Sequence, residues 1–202
     1  HPSYIRFKGL YSETRYSDLH ETIFKIINSN NNVIDEGLIT SIDYSYEIEP
    51  GVYSMIIEDN EFTVNGIQGK STLTSTFNTN QDDKNPPAIT CVEVRNSRGK
   101  PISLLKRNEN GNIYVSAYDY FTDSAESVNM DSIKIYCKSY LEDNWESIDI
   151  DSVIIDSLFN KVYRIVYVGE INNSLTNSDS SALDLKILAI DNSGNKAELI
   201  IE

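Results

Sequence analysis

The chain is 202 residues long, 40% hydrophobic, with 31 acidic against 17 basic residues and a formal net charge of −14. That length suits two domains of roughly 100 residues each. The charge argues against nucleic acid as a partner, because such binding rests on phosphate neutralisation by Lys and Arg, and against attraction to anionic membrane surfaces. The acidic excess is even, 13 against 6 before Ala88 and 18 against 11 from Ala88 onward, so no charged tail stands apart. No apolar run approaches the ~20 residues of a membrane span, so membrane insertion is not expected. Cys91 and Cys137 are the only cysteines, which excludes a disulfide-dense scaffold and a four-cysteine zinc site. The chain opens on His1-Pro2 and not on Met, and reads as a segment of a longer protein.

Runs of β-branched and aromatic residues recur, broken by Asn, Asp, Ser and Gly, and helix signals are scarce. This pattern predicts an all-β fold of sandwich type. The first half offers strands at Tyr4–Lys8, Thr22–Asn28, Val33–Ile39, Val52–Glu58, Glu61–Asn65 and Ser71–Asn78. Val52 to Ile57 is apolar at both parities, as an interior strand is. Gln81 to Pro87, QDDKNPP, is the clearest boundary: its prolines lack backbone donors and its charges are expected to stay outside any core. Two tandem β-sandwich domains follow, 1–84 and 85–202. The second half supplies seven strands: A (Ile89–Arg95), B (Asn112–Tyr118), C (Ser132–Lys138), C′ (Trp145–Ile150), E (Lys161–Val168), F (Leu183–Ile190) and G (Lys196–Ile201). That number is the one an immunoglobulin-like or fibronectin type III sandwich uses.

Parity singles out two aspartates. Side chains alternate along a strand, so Ile113, Val115 and Ala117 share one face of B, and Leu183, Leu185, Ile187 and Ala189 share one face of F. One further step along each row reaches Asp119 and Asp191. In an immunoglobulin-like topology B and F lie in opposite sheets but end at the same pole, so the two aspartates should face each other there. Asp123, Glu126 and Asp131 in the B–C stretch and Asn192 and Asn195 in the F–G turn add oxygens nearby. Two readings fit. Calcium takes six to eight oxygen ligands with tolerant geometry, and Asp119, Asp123, Asp191, Asn192 and Asn195 would be its ligands. Alternatively the Asp and Asn side chains only cap turns, with Gly194 supplying a positive φ. Capping is the commoner outcome, and no EF-hand spacing is present.

Catalytic machinery is not evident, and no enzyme activity is expected. His1 and His20 are the only histidines, and no G-x-S-x-G elbow accompanies them. Gly66 and Gly69 lack phosphate-loop spacing and suit a hairpin turn. Glu142, Asp143 and Glu146 flank Trp145, but acidic residues are spread throughout, so this pair of flanks does not single out a glycosidase site. Tyr114 and Tyr118 fall on the outward face of B, and Tyr163 and Tyr167 share a face of E. Such rings could recognise glycan or protein, or simply favour strands. Cys137 shares parity with Ile133 and Ile135 and should be buried. A bridge from Cys91 to Cys137 would need Cα atoms within about 7 Å, and two free thiols are preferred.

From Asn85 onward, NPPAI and a seven-strand pattern closing on AIDNSGNKAELII resemble the fibronectin type III and immunoglobulin-like accessory domains of bacterial secreted and cell-surface proteins. Asp191, Ser193, Gly194 and Asn195 form the D-x-S-G-N closing turn that carries the likeness. In the first half Phe24 to Asn28 and the PG-x-Y turn of Pro50, Gly51 and Tyr53 are similar to the carboxypeptidase regulatory-like sandwich, without its glycine-rich first strand. The resemblance implies an extracellular or cell-surface setting beside a peptidase, glycosidase or adhesive unit. The function expected is that of a non-catalytic spacer whose partners are flanking domains of the same polypeptide. Recognition of a glycan or protein, or support of an attached secreted peptidase or glycosidase, are the alternatives.

Overall fold

In the computed structural model, residues 3–8, 22–38, 43–64, 67–102, 110–119, 130–139, 143–158, 161–172 and 183–202 are described. These residues form strands and turns, with no helix among them. The strands of the first half are β1 (Ser3–Lys8), β2 (Thr22–Asn28), β3 (Val33–Leu38), β4 (Asp43–Ile48), β5 (Val52–Val64) and β6 (Ile67–Asn78). Those of the second half are β7 (Ala88–Asn96), β8 (Gly111–Tyr118), β9 (Met130–Ser139), β10 (Glu146–Ile148), β11 (Ile150–Leu158), β12 (Lys161–Ile171), β13 (Leu183–Asp191) and β14 (Lys196–Ile201).

The all-β class read from the sequence is what the chain adopts. Three antiparallel sheets form, ordered β1-β4, then β10-β9-β13-β14-β6-β5-β2-β3, then β11-β12-β8-β7. In the second half, a sheet of β11, β12, β8 and β7 faces β10, β9, β13 and β14. In the letters used above, E, B and A lie in one sheet with β11 at its edge, and C′, C, F and G lie in the other, so this half is a two-sheet β-sandwich. Its core is built by the parity expected: Ile113, Val115 and Ile171 from one sheet meet Ile135, Cys137, Ile148, Leu185 and Ile187 from the other, and all are buried. A second cluster of Phe24, Ile26, Ile48, Tyr53, Met55, Ile57 and Phe77 fills the first half.

Four elements differ from the sequence reading. The expected strands at Val52–Glu58 and Glu61–Asn65 are one strand, β5, with a register shift between Asp59 and Phe62. β4 was not anticipated, nor was β11, an eighth strand beside the seven expected. C′, expected as Trp145–Ile150, is only three residues long, because the chain leaves that sheet at Asp149 and joins the opposite one as β11. The crossing needs a glycine beneath it. A Cβ at Gly169 of β12 would lie 2.6 Å from Ile148 Cγ2 and 2.8 Å from the Asp149 carbonyl oxygen, and backbone there cannot yield.

The boundary expected at residues 84 and 85 falls in the stretch between β6 and β7, and the hydrogen-bonded sheet passes across it. β14, the last strand, pairs with β6 in six register steps from Lys196↔Thr76 to Ile201↔Ser71. Lys70 and Glu202 extend the ladder with reciprocal backbone bonds of 2.9 Å. Leu73, packed on the first core, stands opposite Leu199, packed on the second. Directly opposed residues in a ladder have Cβ atoms about 5 Å apart, so this pair brings the margins of the two cores together.

Candidate functional site

β13 carries its buried row, Leu185, Ile187 and Ala189, into Asp191, which is 1% exposed. A turn follows at once. The Gly194 N–H donates to the Asp191 carbonyl and the Asp191 N–H donates to the Asn195 carbonyl, both at 3.1 Å. Gly194 has φ of 85°, which an L side chain would resist. Asp191 Oδ1 accepts the Ser193 N–H at 2.8 Å and the Asn195 N–H at 2.9 Å. This is the turn-capping role that the sequence suggested for it.

Asn195, 2% exposed, does more than close the turn. Its Nδ2 donates to Asp191 Oδ2 at 2.9 Å, to the Asp83 carbonyl at 3.3 Å and to the Asn85 carbonyl at 3.2 Å. Its Oδ1 accepts the Asn78 N–H at 3.1 Å. One amide therefore joins the F–G turn, the end of β6 and the stretch before β7. Asp83 is drawn in with them. Its Oδ1 caps the Asn85 N–H at 3.1 Å and its Oδ2 accepts the Ser193 hydroxyl at 3.2 Å. Charges of the QDDKNPP stretch were expected to remain outside any core, yet Asp83 is 2% exposed. The Asn85 N–H and the Ser193 hydroxyl of the neighbouring turn explain the difference, since they solvate the carboxylate in place of water.

Asp119, 4% exposed, follows β8 and meets Asp191 at the pole as parity required. One carboxylate oxygen from each of Asp83, Asp119 and Asp191 lies within 4.8 Å of the others. At an effective dielectric of about 20, two like charges at that separation repel by roughly 3 kcal/mol. Hydrogen-bond donors offset part of this, and a cation would offset more. Calcium–oxygen distances of about 2.4 Å allow oxygens some 5 Å apart to share one ion, and the donors here are all hard oxygens. A carboxylate offers about four lone-pair sites, so hydrogen bonds to Asp83 and Asp191 leave room for a metal bond. The residue set thus fits calcium, with Asp83 as a member the sequence reading missed. Its signal was present: Asp83-Lys84-Asn85 has the Asp-x-Asn form of a capping turn.

The remaining candidates divide. Asn192 is exposed at the turn. Asn195 commits its Oδ1 to Asn78 and presents its Nδ2 to Asp191, which is the position of a clamp between segments. Asp131 is exposed in β9. Asp123, Glu126, His1 and His20 lie outside the described residues.

The aromatic candidates are engaged within the chain. Arg95 sits 4.4 Å over the Tyr114 ring and is held by Glu93. Trp145 has Lys138 and Lys186 each 5.1 Å from its ring centre, and Lys186 is also 4.8 Å from Tyr136. Lys138 in turn pairs with the buried Asp184 at 3.2 Å. Tyr167 is half-buried, and burial raises its phenol pKa, while the Tyr163 side chain lies outside the described residues. Both cysteines are free, Cys91 exposed and Cys137 buried. Burial, with Glu146 nearby, pushes the Cys137 thiol up to about 12, so it stays protonated and unreactive near neutral pH.

No protein-family model matches the chain, and a search of curated proteins found no match.

The geometry makes Asn195 the most sensitive polar residue. Asn195→Ala removes the acceptor of the Asn78 N–H and withdraws a donor from two carbonyls and a carboxylate. The expected loss is about 3 kcal/mol of unfolding free energy, measured by urea denaturation. A loss under about 0.5 kcal/mol, the usual effect at a surface site, would contradict the clamp.

Proposed function

We propose that this chain is a non-catalytic structural spacer of a larger extracellular or cell-surface protein, holding its flanking domains at a set distance and angle. The observation that carries the reading is the pairing of β14 with β6, which continues one sheet through both halves of the chain. A spacer with a free hinge between its halves transmits position poorly. Here the stretch that could hinge, Asp82 to Pro87, is tied at Asp83 and Asn85 to the turn before β14. An attached secreted peptidase or glycosidase is one kind of unit such a spacer would carry.

The chemistry of the described residues supports a non-catalytic role. Cys137 is a protonated, buried thiol. Tyr114 and Trp145, the rings best placed to stack on a sugar, already have cations over their faces.

Calcium belongs to this reading as a stiffening ligand of the pole. Bound by Asp83, Asp119 and Asp191, it would tie the β6–β7 stretch to the ends of β8 and β13. Calorimetric titration of chelator-treated protein with Ca²⁺ should release heat and raise the melting temperature, and Asp119→Asn should abolish both. No heat and no shift would remove calcium while leaving the spacer reading intact.

Spacing itself is tested by rotational diffusion. Backbone ¹⁵N relaxation should return one correlation time for β2 and β5 and for β8 and β12, as for a single 22.9 kDa body. Separate, shorter correlation times for the two halves would overturn the reading.

A further inference from the structure

The two larger sheets end in four edge strands, β10, β3, β11 and β7. An exposed edge offers unpaired backbone groups to any passing strand, and proteins blunt it with brevity, charge or a covering segment. β10 is three residues long. β3 carries Asp35 and Glu36 in its middle, with Lys25 3.7 Å from Glu36. β7 is covered where the chain folds back: Arg95 bridges to Pro101 and the Ile102 N–H donates to the Val94 carbonyl at 2.9 Å. Among the described residues the centre of β11 carries none of these guards, and its register with β12 shifts only towards its ends, between Ile150 and Ser152 and between Asp156 and Ser157. The strand runs nine residues, IDSVIIDSL, without Pro, Lys or Arg. Val153, Ile154 and Ile155 are consecutive, so both faces of the strand are apolar there, and they are 49%, 45% and 59% exposed.

We propose that β11 is a self-association edge that pairs antiparallel with β11 of a second copy of this chain. The order of its residues selects that partner and one register. With the two-fold axis at Ile154, Ile154 meets its own copy, Val153 meets Ile155 and Ser152 meets Asp156, all within the stretch that keeps a regular register with β12. Apolar residues oppose apolar ones, and Asp156 opposes a hydroxyl. Opposed residues share a face, so a two-fold pair can slip only by two, which sets Ile154 opposite Ser152 in one direction and opposite Asp156 in the other. Parallel pairing in register stacks each aspartate on its own copy. Like charges directly opposed are destabilising in a ladder, so the antiparallel register centred on Ile154 wins. The contact is isologous and closes at two copies. It joins two four-stranded sheets into one of eight.

A single ladder is a small interface, of the size class of transient contacts. Two bodies each carrying a net charge of −14 also repel. Salt screens that repulsion, with a Debye length of about 10 Å at 0.1 M falling to about 3 Å at 1 M. The dimer is therefore weak and tightens as salt is added.

Sedimentation equilibrium of the whole chain, from about 5 to 500 μM and at low and high salt, tests this. The expected result is a monomer–dimer equilibrium favoured by salt. Ile154→Lys, which opposes two lysines at the axis, should weaken it about tenfold or more, while Val33→Lys on β3, at a 50% exposed position, should not. Both positions are exposed enough for the variants to fold, and circular dichroism checks that they do. In a Cys91→Ser background, Ile154→Cys should give a disulfide-linked dimer on mild oxidation, because residues directly opposite in a ladder have Cα atoms within disulfide reach. A monomer at every concentration overturns the proposal and leaves this edge to a strand of another protein. A dimer that Ile154→Lys leaves unchanged overturns it as well.

Discussion

The side-chain amide of Asn195 is buried among three segments and hydrogen-bonded to each, and the way the two halves meet depends on it. It receives the last strand-end N–H of β6 at Asn78, donates to the carbonyls of Asp83 and Asn85, and holds Asp191 at the end of β13. Those bonds hold the three segments together where β14 begins. With them, β14 leaves the turn already aligned with β6. The ladder that follows, Lys196↔Thr76 to Ile201↔Ser71, begins one residue after the amide and two residues before Asn78. Ladder and amide clamp are one construction: each fixes the geometry the other requires.

That construction has an electrostatic consequence. Tying Asp83 to the turn brings a third carboxylate to the pole where the ends of β8 and β13 already set two. Taking such a cluster out of water is costly unless donors or a cation replace the solvent. The turn supplies several donors. The same arrangement that stiffens the junction thus gathers three buried carboxylates at one pole. A protein using the junction to hold an angle gains from a ligand that crosslinks it, since binding to the folded state alone stabilises that state.

Much of the second half was legible in the sequence because burial there follows a strict period of two. Ile113, Val115 and Ala117, and Ile187 and Ala189, are each 0% exposed, so the parity that located Asp119 and Asp191 was a direct image of the core. β11 was not legible, because Val153, Ile154 and Ile155 are consecutive and exposed and give no alternation. β4, reading Asp-Tyr-Ser-Tyr-Glu-Ile, lacks an aliphatic row and escaped for a related reason. Asp83 was missed because local composition, two acids before a lysine and two prolines, describes a solvated linker equally well. Its burial is decided by Asn195, more than a hundred residues later, and no local pattern carries that information. The β6–β14 pairing is non-local in the same sense. Seven-strand spacing does not reveal that the last strand has a second neighbour.

β14 and β6 form a ladder as durable as the cores it joins. Native-state hydrogen exchange measures this strand by strand. The ladder amides of β6 and β14 should exchange only through global unfolding, at the same free energy as those of β2 and β13. Exchange of the β6–β14 amides at a clearly lower free energy, while β2 and β13 stay protected, would show that the halves part before either unfolds, and would contradict it.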